Sequence, residues 1–438
     1  MTRATTAAAL ALLLGLAPVA AAQEPGPETR RVSSSPSGAP GDDASEHCAV
    51  AAGGAVVAFD SGATDLVAGD TNDLPDVFAW EESGQTTRVS VASGGRQAGS
   101  TNGFPDLSAS GRYMSFTASS HDLRADEDHW SFSTAFVHDR RTGVTENVSV
   151  RSDGGRANGE SGETAISGNG RFVVFSSDAT NLAAKGDRNR FSDIFVHDRK
   201  TGKTNRVSLS TELKGPNDDS DEPAISADGR YVAFKSWASN LVRRDLNGDT
   251  GDIFVYDRTR RTTRLVTMTS AGEPSRSLSW DPAISGDGRY VSFTTDGVLV
   301  DDDVNRRRDV YVHDAFTGLT ELVSAGADGP GNHTSEQSSI SDDGRYVAFL
   351  STSDNLVLGD MNGTYAGWDV FVRDLVDRTT TLVSVGNDGR RADRSGGAPD
   401  ISPDGRYVCW ETWATNLDDE PREATSENIY VRGPLWDE

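Results

Sequence analysis

Short apolar runs alternate with polar turns along this chain, and the same order of runs recurs many times. In one unit, "RYVAF" (230–234) follows Asp228-Gly229, a dipeptide that favours a tight hairpin because its glycine accepts positive φ. "DIFVYD" (252–257) is rich in β-branched and aromatic residues, which are typical of strands. "PAIS" (223–226) precedes these runs and "TTRLV" (262–266) follows them. The pattern predicts four antiparallel strands per unit.

The unit recurs seven times. Aligned copies of "SADGRYVAF" end in an aromatic residue at positions 59, 116, 175, 234, 293, 349 and 410, which are spaced by 56 to 61 residues. Four-stranded antiparallel units in a long array are typical of β-propellers. We therefore predict an all-β, seven-bladed propeller over 23–438, with blades beginning near residues 47, 104, 163, 222, 281, 337 and 398.

The last unit lacks its fourth strand. The chain stops at "NIYVRGPLWDE", whereas "TRRVS" (29–33) stands alone before the first unit. A closed ring leaves no long open sheet edge. We therefore predict that a strand within 27–34 completes the last blade and closes the ring.

The N-terminus has the pattern of a secretory signal peptide over 1–22. Arg3 precedes an apolar run from Ala7 to Ala20, and small residues around Ala22 suit cleavage there. No later segment approaches the roughly 18 apolar residues of a membrane helix. We expect a secreted or periplasmic monomer. The net charge of -25 argues against a nucleic-acid partner, which requires a basic surface.

The chain has two cysteines, and both fall near the predicted seam of the ring. Cys48 lies in the first strand of blade one and Cys409 in the second strand of blade seven. Export would permit a disulfide between these neighbouring blades. The alternative is a pair of buried free thiols.

Acidic loops before the third strands are candidate calcium sites, because calcium binds six to eight oxygen ligands in flexible geometry. The candidate ligands are Asp245, Asn247, Asp249 and Asp252 in one loop, and Asp360, Asn362 and Asp369 in another. The alternative is architectural, since Asp and Asn side chains also bond their own backbone in turns. Recurrence of the loop in most units favours the architectural interpretation.

The predicted connections are unequal on the two faces of the ring. Tight turns join strands one to two and three to four, whereas long polar links join strands two to three and successive blades. Binding residues concentrate on loops held by a rigid scaffold. Five tryptophans near these links are candidate ligand contacts, although they would equally serve as packing between blades: Trp130, Trp237, Trp280, Trp368 and Trp413.

The segments "SADGRYVAF", "DIFVYD" and a fourth strand such as "NRVS" resemble the WD40-like repeat of TolB-like β-propellers, in particular an exported bacterial subgroup. The resemblance covers residues 27 to 438 and implies the propeller fold. TolB itself has a separate N-terminal domain, for which this chain has no room, so its partner role is not transferred. Related propellers include oligogalacturonate lyases that hold a metal with several histidines, and the seven histidines here form no comparable motif.

The sequence favours a non-catalytic, exported binding scaffold whose long-loop face takes a protein or glycan ligand. No nucleophile elbow or phosphate loop is present in the sequence. The alternative is a carbohydrate-active enzyme, a polysaccharide lyase or glycoside hydrolase, with a metal-assisted site at the channel mouth. Calcium is the one candidate cofactor.

Overall fold

A computed structural model describes residues 26–119, 123, 132–183, 189–245, 247–248, 250–358, 367–418 and 426–436. In this part of the chain the strands form seven four-stranded antiparallel sheets, arranged as the blades of a propeller. The all-β class and the predicted seven blades are therefore confirmed. The predicted signal peptide lies outside the described residues. No helix among those described has the length and apolarity needed to cross a membrane.

The strands of each blade are given from the channel outward. Blades 1 to 4 comprise β2 (Ser45–Val50), β3 (Val56–Ser61), β4 (Asp76–Glu81) and β5 (Thr86–Arg88); β6 (Asn102–Leu107), β7 (Tyr113–Ala118), β8 (Thr134–Asp139) and β9 (Val144–Asn147); β10 (Ser161–Ile166), β11 (Phe172–Ser177), β12 (Asp193–Asp198) and β13 (Lys203–Arg206); and β14 (Ser220–Ile225), β15 (Tyr231–Ser236), β16 (Asp252–Asp257) and β17 (Thr262–Leu265).

The other three blades follow the same order. They comprise β18 (Ser279–Ile284), β19 (Tyr290–Thr295), β20 (Asp309–Asp314) and β21 (Leu319–Leu322); β24 (Ser335–Ile340), β25 (Tyr346–Ser351), β26 (Asp369–Asp374) and β27 (Thr379–Leu382); and β28 (Gly396–Ile401), β29 (Val408–Thr412), β30 (Asn428–Gly433) and β1 (Glu28–Arg31). A small hairpin, β22 (Ala325–Gly326) with β23 (Gly329–Pro330), links blades 5 and 6. A short 3₁₀ turn spans Ala52–Gly54.

An aromatic pair forms the centre of every blade. The second and third strands each contribute one buried ring, and the two rings stack with centroids 5.7 to 6.2 Å apart. The pairs are Phe59–Phe78, Phe116–Phe136, Phe175–Phe195, Phe234–Phe254, Phe293–Tyr311, Phe349–Phe371 and Trp410–Tyr430. Such large apolar side chains dominate core energetics. They explain why an aromatic residue ends each copy of the repeated segment.

Most blades also carry an arginine–aspartate pair between the second and third strands. The guanidinium follows the hairpin glycine and contacts the carboxylate that ends the third strand. Hydrogen bonds from Arg171 lower the pKa of Asp198 to about 2. The arginines of these pairs are open to water, which screens the attraction, so each pair contributes little to the stability of the fold. The pairs are Arg112–Asp139, Arg171–Asp198, Arg230–Asp257, Arg289–Asp314 and Arg345–Asp374.

The ring closes where the sequence predicts. β1 pairs antiparallel with β30, with Glu28 opposite Gly433 and Arg31 opposite Tyr430. The N-terminal strand is therefore the outermost strand of blade 7.

A disulfide between Cys48 and Cys409 joins blade 1 to blade 7, with the two Cα atoms 6.2 Å apart. Cys409 is fully buried in an apolar cluster that includes Phe59 of blade 1 and Val431 of blade 7. The bond therefore spans the seam across which the two ends of the propeller sequence meet.

Removing this disulfide should weaken the ring at its seam. We expect the double substitution Cys48→Ala and Cys409→Ala to lower the free energy of unfolding by about 2–5 kcal/mol, measured by denaturant titration, since the long loop is then free to open in the unfolded chain. A reducing agent should shift the wild-type midpoint and leave the double variant unchanged. Equal midpoints for oxidised wild type and variant would contradict this role.

Candidate functional site

The inner strands share a backbone irregularity at their third residue. The register between first and second strands shifts there in every blade. The residue at the shift has positive φ although it is not glycine: His47 (49°), Phe104 (54°), Glu163 (40°), Glu222 (50°), Asp281 (53°), Gln337 (51°) and Ala398 (37°). We call these seven residues the bulge ring. Positive φ is uncommon for residues with a Cβ atom, and β-bulges often lie beside functional sites.

The bulges free backbone N–H groups from the strand ladder, and side chains of neighbouring blades satisfy several of them. Glu163 accepts a hydrogen bond from the N–H of Glu222 at 2.7 Å, and Glu222 accepts one from Asp281 at 2.6 Å. Gln337 accepts one from Ala398 at 3.1 Å. A buried backbone donor requires such a partner. The channel side chains therefore also connect consecutive blades.

The bulge ring surrounds a central cavity of about 450 Å³. All seven inner strands contribute to its lining, and its walls carry the carboxyl groups of Glu163, Glu222, Asp281, Asp106 and Asp400. The central channel is therefore acidic, as is the chain as a whole.

At the seam between blades 7 and 1, the channel mouth gathers a group of ionisable side chains that we call the seam cluster: Glu46, His47, Asp60, Glu411 and Glu427. Glu46, His47 and Asp60 each offer a ligand atom within 4.8 Å of the others. His47 Nδ1 lies 3.0 Å from Asp60 Oδ1, and the His47 backbone N–H donates to Glu411 Oε2 at 3.0 Å.

The seam cluster shifts the proton affinities of its members. Although burial opposes protonation of His47, its bond to Asp60 and the charges of Asp60, Glu411 and Glu46 raise its pKa. Burial, together with the charges of Glu411 and Glu46, raises the pKa of Glu427 to about 7. Carboxyl groups held this close gain stability when a cation approaches. The arrangement therefore favours a positively charged ligand.

Two exposed aromatic rings border the seam cluster. Phe104 is 51% exposed, and its ring centroid lies 4.4 Å from that of His47. Trp413 is 40% exposed and lies close enough to Glu427 to influence the pKa of that carboxyl. Aromatic faces attract ammonium and guanidinium groups, particularly beside carboxylates.

Elsewhere on the long-loop face, basic side chains already accompany the acids. Lys235 Nζ bonds Glu222 at 2.6 Å and lies 4.3 Å from the ring centroid of Trp237. Arg308 contacts Glu336 at 2.5 Å and lies 4.3 Å from the ring centroid of Trp280. The seam cluster contains no lysine or arginine among its five members, which distinguishes it from these two groups.

Two carboxyl groups lie deeper in the channel than the bulge ring, nearer to the face that carries the short turns. Asp106 accepts a hydrogen bond from the N–H of Ile166 at 2.7 Å, and Asp400 accepts one from Val50 at 2.9 Å. Burial raises the pKa of Asp106 to about 7 and that of Asp400 to about 6.

Two of the predicted calcium residues, Asp252 and Asp369, are the first residues of third strands. Asp252 accepts a hydrogen bond from Thr267 at 2.6 Å, and Asp369 accepts one from Ser384 at 2.7 Å. Asp193 and Asp309 accept the same bond from a serine just after the fourth strand of their blades, which is an architectural role. Asp245 accepts the backbone N–H of Asn247 at 3.2 Å. Asp249, Asp360 and Asn362 lie outside the described residues, so calcium binding stays a prediction.

The predicted tryptophans do not form one site. Trp237 and Trp413 belong to different blades. Trp368 lines the same small cavity as Arg308, whose guanidinium covers Trp280, so these two tryptophans share a neighbourhood. Trp130 lies outside the described residues. Their role as ligand contacts stays a prediction.

The sequence did not indicate the bulge ring or the seam cluster. A glycine in the sequence is the usual sign of a position with positive φ, and none of the seven bulge-ring residues is glycine. One signal was available, since proline follows the bulge at positions 105, 223, 282 and 399. Proline inside a strand is largely confined to edges and bulges.

No family model matches this chain, and no curated protein sequence matches it. Solved structures do. An oligogalacturonate lyase in complex with manganese aligns with a TM-score of 0.54 at 14% identity, over 93% of this chain and 94% of that one. The oligogalacturonate lyase of Vibrio parahaemolyticus aligns with a TM-score of 0.52 at 11% identity, over 92% and 93% of the two chains. The chain has the fold of these β-propellers.

TolB structures are also among the matches to this propeller. The TolB of Acinetobacter baumannii aligns at 14% identity with a TM-score of 0.40, over 70% of this chain. The propeller spans 58% of the length of that TolB. At these identities the likeness concerns the fold, and the propeller's site must be judged from its own residues.

The buried channel acids should make the propeller more stable at acidic than at basic pH. Asp106 has a raised pKa, so the folded state retains a proton between pH 3.8 and about 7 that the unfolded chain has released. The contribution of Asp106 to stability is therefore fully present below that range and is lost as pH rises through it. We expect a higher thermal midpoint at about pH 5 than at about pH 8.

Asp106→Asn keeps a side-chain oxygen for the Ile166 N–H and removes the charge. We expect this variant to show a smaller fall in the thermal midpoint between the two pH values than wild type. Asp388→Asn, at an exposed carboxylate, is the matched control and should behave as wild type. An undiminished pH dependence in Asp106→Asn would show that this carboxyl titrates normally.

Proposed function

We propose that this protein is an exported binding scaffold that takes a basic segment of a partner protein at the seam cluster in the mouth of its channel. The observation that carries the proposal is the seam cluster itself: four carboxyl groups and one histidine beside exposed Trp413 and Phe104. A lysine or arginine side chain complements such a site by charge and by cation–π contact. The disulfide between Cys48 and Cys409 is consistent with an oxidising compartment outside the cytoplasm.

A labelled octalysine peptide is a direct probe of this proposal, with binding followed by fluorescence anisotropy. The double variant Glu46→Gln and Glu411→Gln keeps the shape of both side chains and the acceptor for the His47 N–H. We expect it to weaken binding by about tenfold, equivalent to about 1.4 kcal/mol. Added salt should weaken binding to wild type, because the attraction is electrostatic.

The protein carries a net charge of -25, so a charge-matched control is essential. Glu82→Gln with Asp377→Asn removes two exposed carboxylates from turns between third and fourth strands, on the opposite face. This control should bind octalysine as wild type does. An equal loss in both double variants would mean that the peptide senses only the total charge, and the proposal would fail.

The second candidate is a carbohydrate-active enzyme with a metal at the same mouth. It is favoured by the three ligand atoms of Glu46, His47 and Asp60, which lie within 4.8 Å of one another, and by the fold shared with a manganese-bound oligogalacturonate lyase. Imidazole and carboxylate groups would suit such a metal. The surrounding carboxylates oppose this candidate for a polyuronate, because its repeating negative charges would be repelled.

A lyase assay with polygalacturonate and manganese separates the two candidates, since cleavage by elimination creates an unsaturated sugar that absorbs ultraviolet light. The scaffold proposal predicts no increase in absorbance. An increase that disappears in His47→Gln would support the enzyme instead.

A further inference from the structure

A groove between blades 4 and 5 interrupts a packing pattern seen in neighbouring blades. In blades 2 to 6 the second strand begins with an aromatic ring, and in blades 2 and 3 a guanidinium of the next blade covers that ring. The Arg199 guanidinium lies 4.3 Å from the ring centroid of Tyr113, and that of Arg258 lies 4.2 Å from the ring centroid of Phe172. Where blade 5 meets Tyr231, the corresponding residue is Ala315.

Ala315 corresponds to Arg258 in its backbone hydrogen bond as well as in the alignment of the blades. The N–H of Ala315 donates to the carbonyl of Arg289 at 2.8 Å, as the N–H of Arg258 donates to that of Arg230 at 3.0 Å. In blade 6 the same position is Leu375, which packs against the same apolar cluster as Tyr290. Tyr231 contacts Gly288 of blade 5, and the guanidinium of its own Arg230 lies 4.7 Å from its ring centroid. The methyl group of Ala315 does not add the further cover that a longer side chain gives in neighbouring blades.

Tyr231 and Ala315 line a cavity of about 890 Å³, which is within the size range of pockets for small organic ligands. Phe316 stands at its rim and is 88% exposed. The apolar side chains that line the cavity are Tyr231, Val242, Leu265, Met268, Pro274 and Phe316.

The charge of the groove is opposite to that of the protein. Six arginines line it, at positions 230, 243, 244, 260, 264 and 289, against two aspartates, Asp257 and Asp287. Arg230 and Arg289 are bound to Asp257 and Asp314, and Arg244 contacts Glu273. Among the described residues, Arg243 and Arg264 have no carboxylate within ion-pair distance. The groove thus joins an apolar wall to guanidinium groups that can receive an anion.

We propose that this groove binds a small amphipathic organic anion, with an apolar or aromatic body against Tyr231 and an acid group on the arginines. The apolar wall and the net positive lining both select this chemistry over a neutral or cationic ligand. The site is separate from the seam cluster and does not depend on the function proposed for the channel.

Two dyes of similar apolar shape provide the test. Anilinonaphthalene sulfonate carries one negative charge, whereas N-phenylnaphthylamine is neutral, and both fluoresce when bound in an apolar site. We expect saturable binding of the sulfonate with one dye per protein, and weaker binding of the neutral dye. Arg264→Gln should weaken binding of the sulfonate by about tenfold and leave the neutral dye nearly unaffected.

Filling the groove should abolish binding of both dyes. Ala315→Arg restores the side chain of blades 3 and 4, and Ala315→Leu introduces the residue type of blade 6 without adding charge. Leu358→Arg, at a residue that is 99% exposed, adds the same charge elsewhere and should bind both dyes as wild type does.

Thermal melting provides the folding control, because each Ala315 variant should melt no lower than wild type if it only fills an existing space. Unchanged sulfonate binding in a folded Ala315 variant would overturn the proposal. Equal affinity for the charged and neutral dyes would overturn the assignment of an anion.

Discussion

Ring closure is the constraint on which the rest of this structure depends. Each blade buries one face against its neighbour, so the array is complete only when blade 7 meets blade 1. β1 supplies the outer strand that the C-terminal segment lacks, and the disulfide between Cys48 and Cys409 ties the same seam from the channel side. The two ends of the propeller sequence are far apart along the chain. Together they complete blade 7 and its contact with blade 1.

Closure brings seven inner strands around one narrow axis, and the bulge ring forms there. Repetition fixes the stacked aromatic pairs and the Arg–Asp pairs, which recur with nearly the same chemistry from blade to blade. The bulge positions instead differ in chemistry: histidine, phenylalanine, glutamate, aspartate, glutamine and alanine occupy the same backbone geometry. A repeated scaffold thus presents a non-repeated surface, and the seam cluster adjoins that surface at His47 with no lysine or arginine among its members.

The fold was predictable because its evidence is repeated in every unit. Hairpin glycines, strand composition and the isolated segment "TRRVS" together determine the blade number and the closing strand. The site was much less predictable. His47 and Glu411 are separated by most of the chain, and their contact depends on closure. The groove beside Tyr231 depends on the small side chain of Ala315, and its difference from the counterparts in other blades becomes visible only when the blades are superposed.

The assignment of the seam cluster as the binding site for a basic segment is the central functional claim, and chemical cross-linking tests it most directly. A carbodiimide joins a lysine amine to a carboxylate only where the two groups are in contact. Treatment of the protein with octalysine, followed by mass-spectrometric mapping, should place the cross-links at Glu46, Glu411 and Glu427. Cross-links spread over exposed loop carboxylates, with these three absent, would contradict the account.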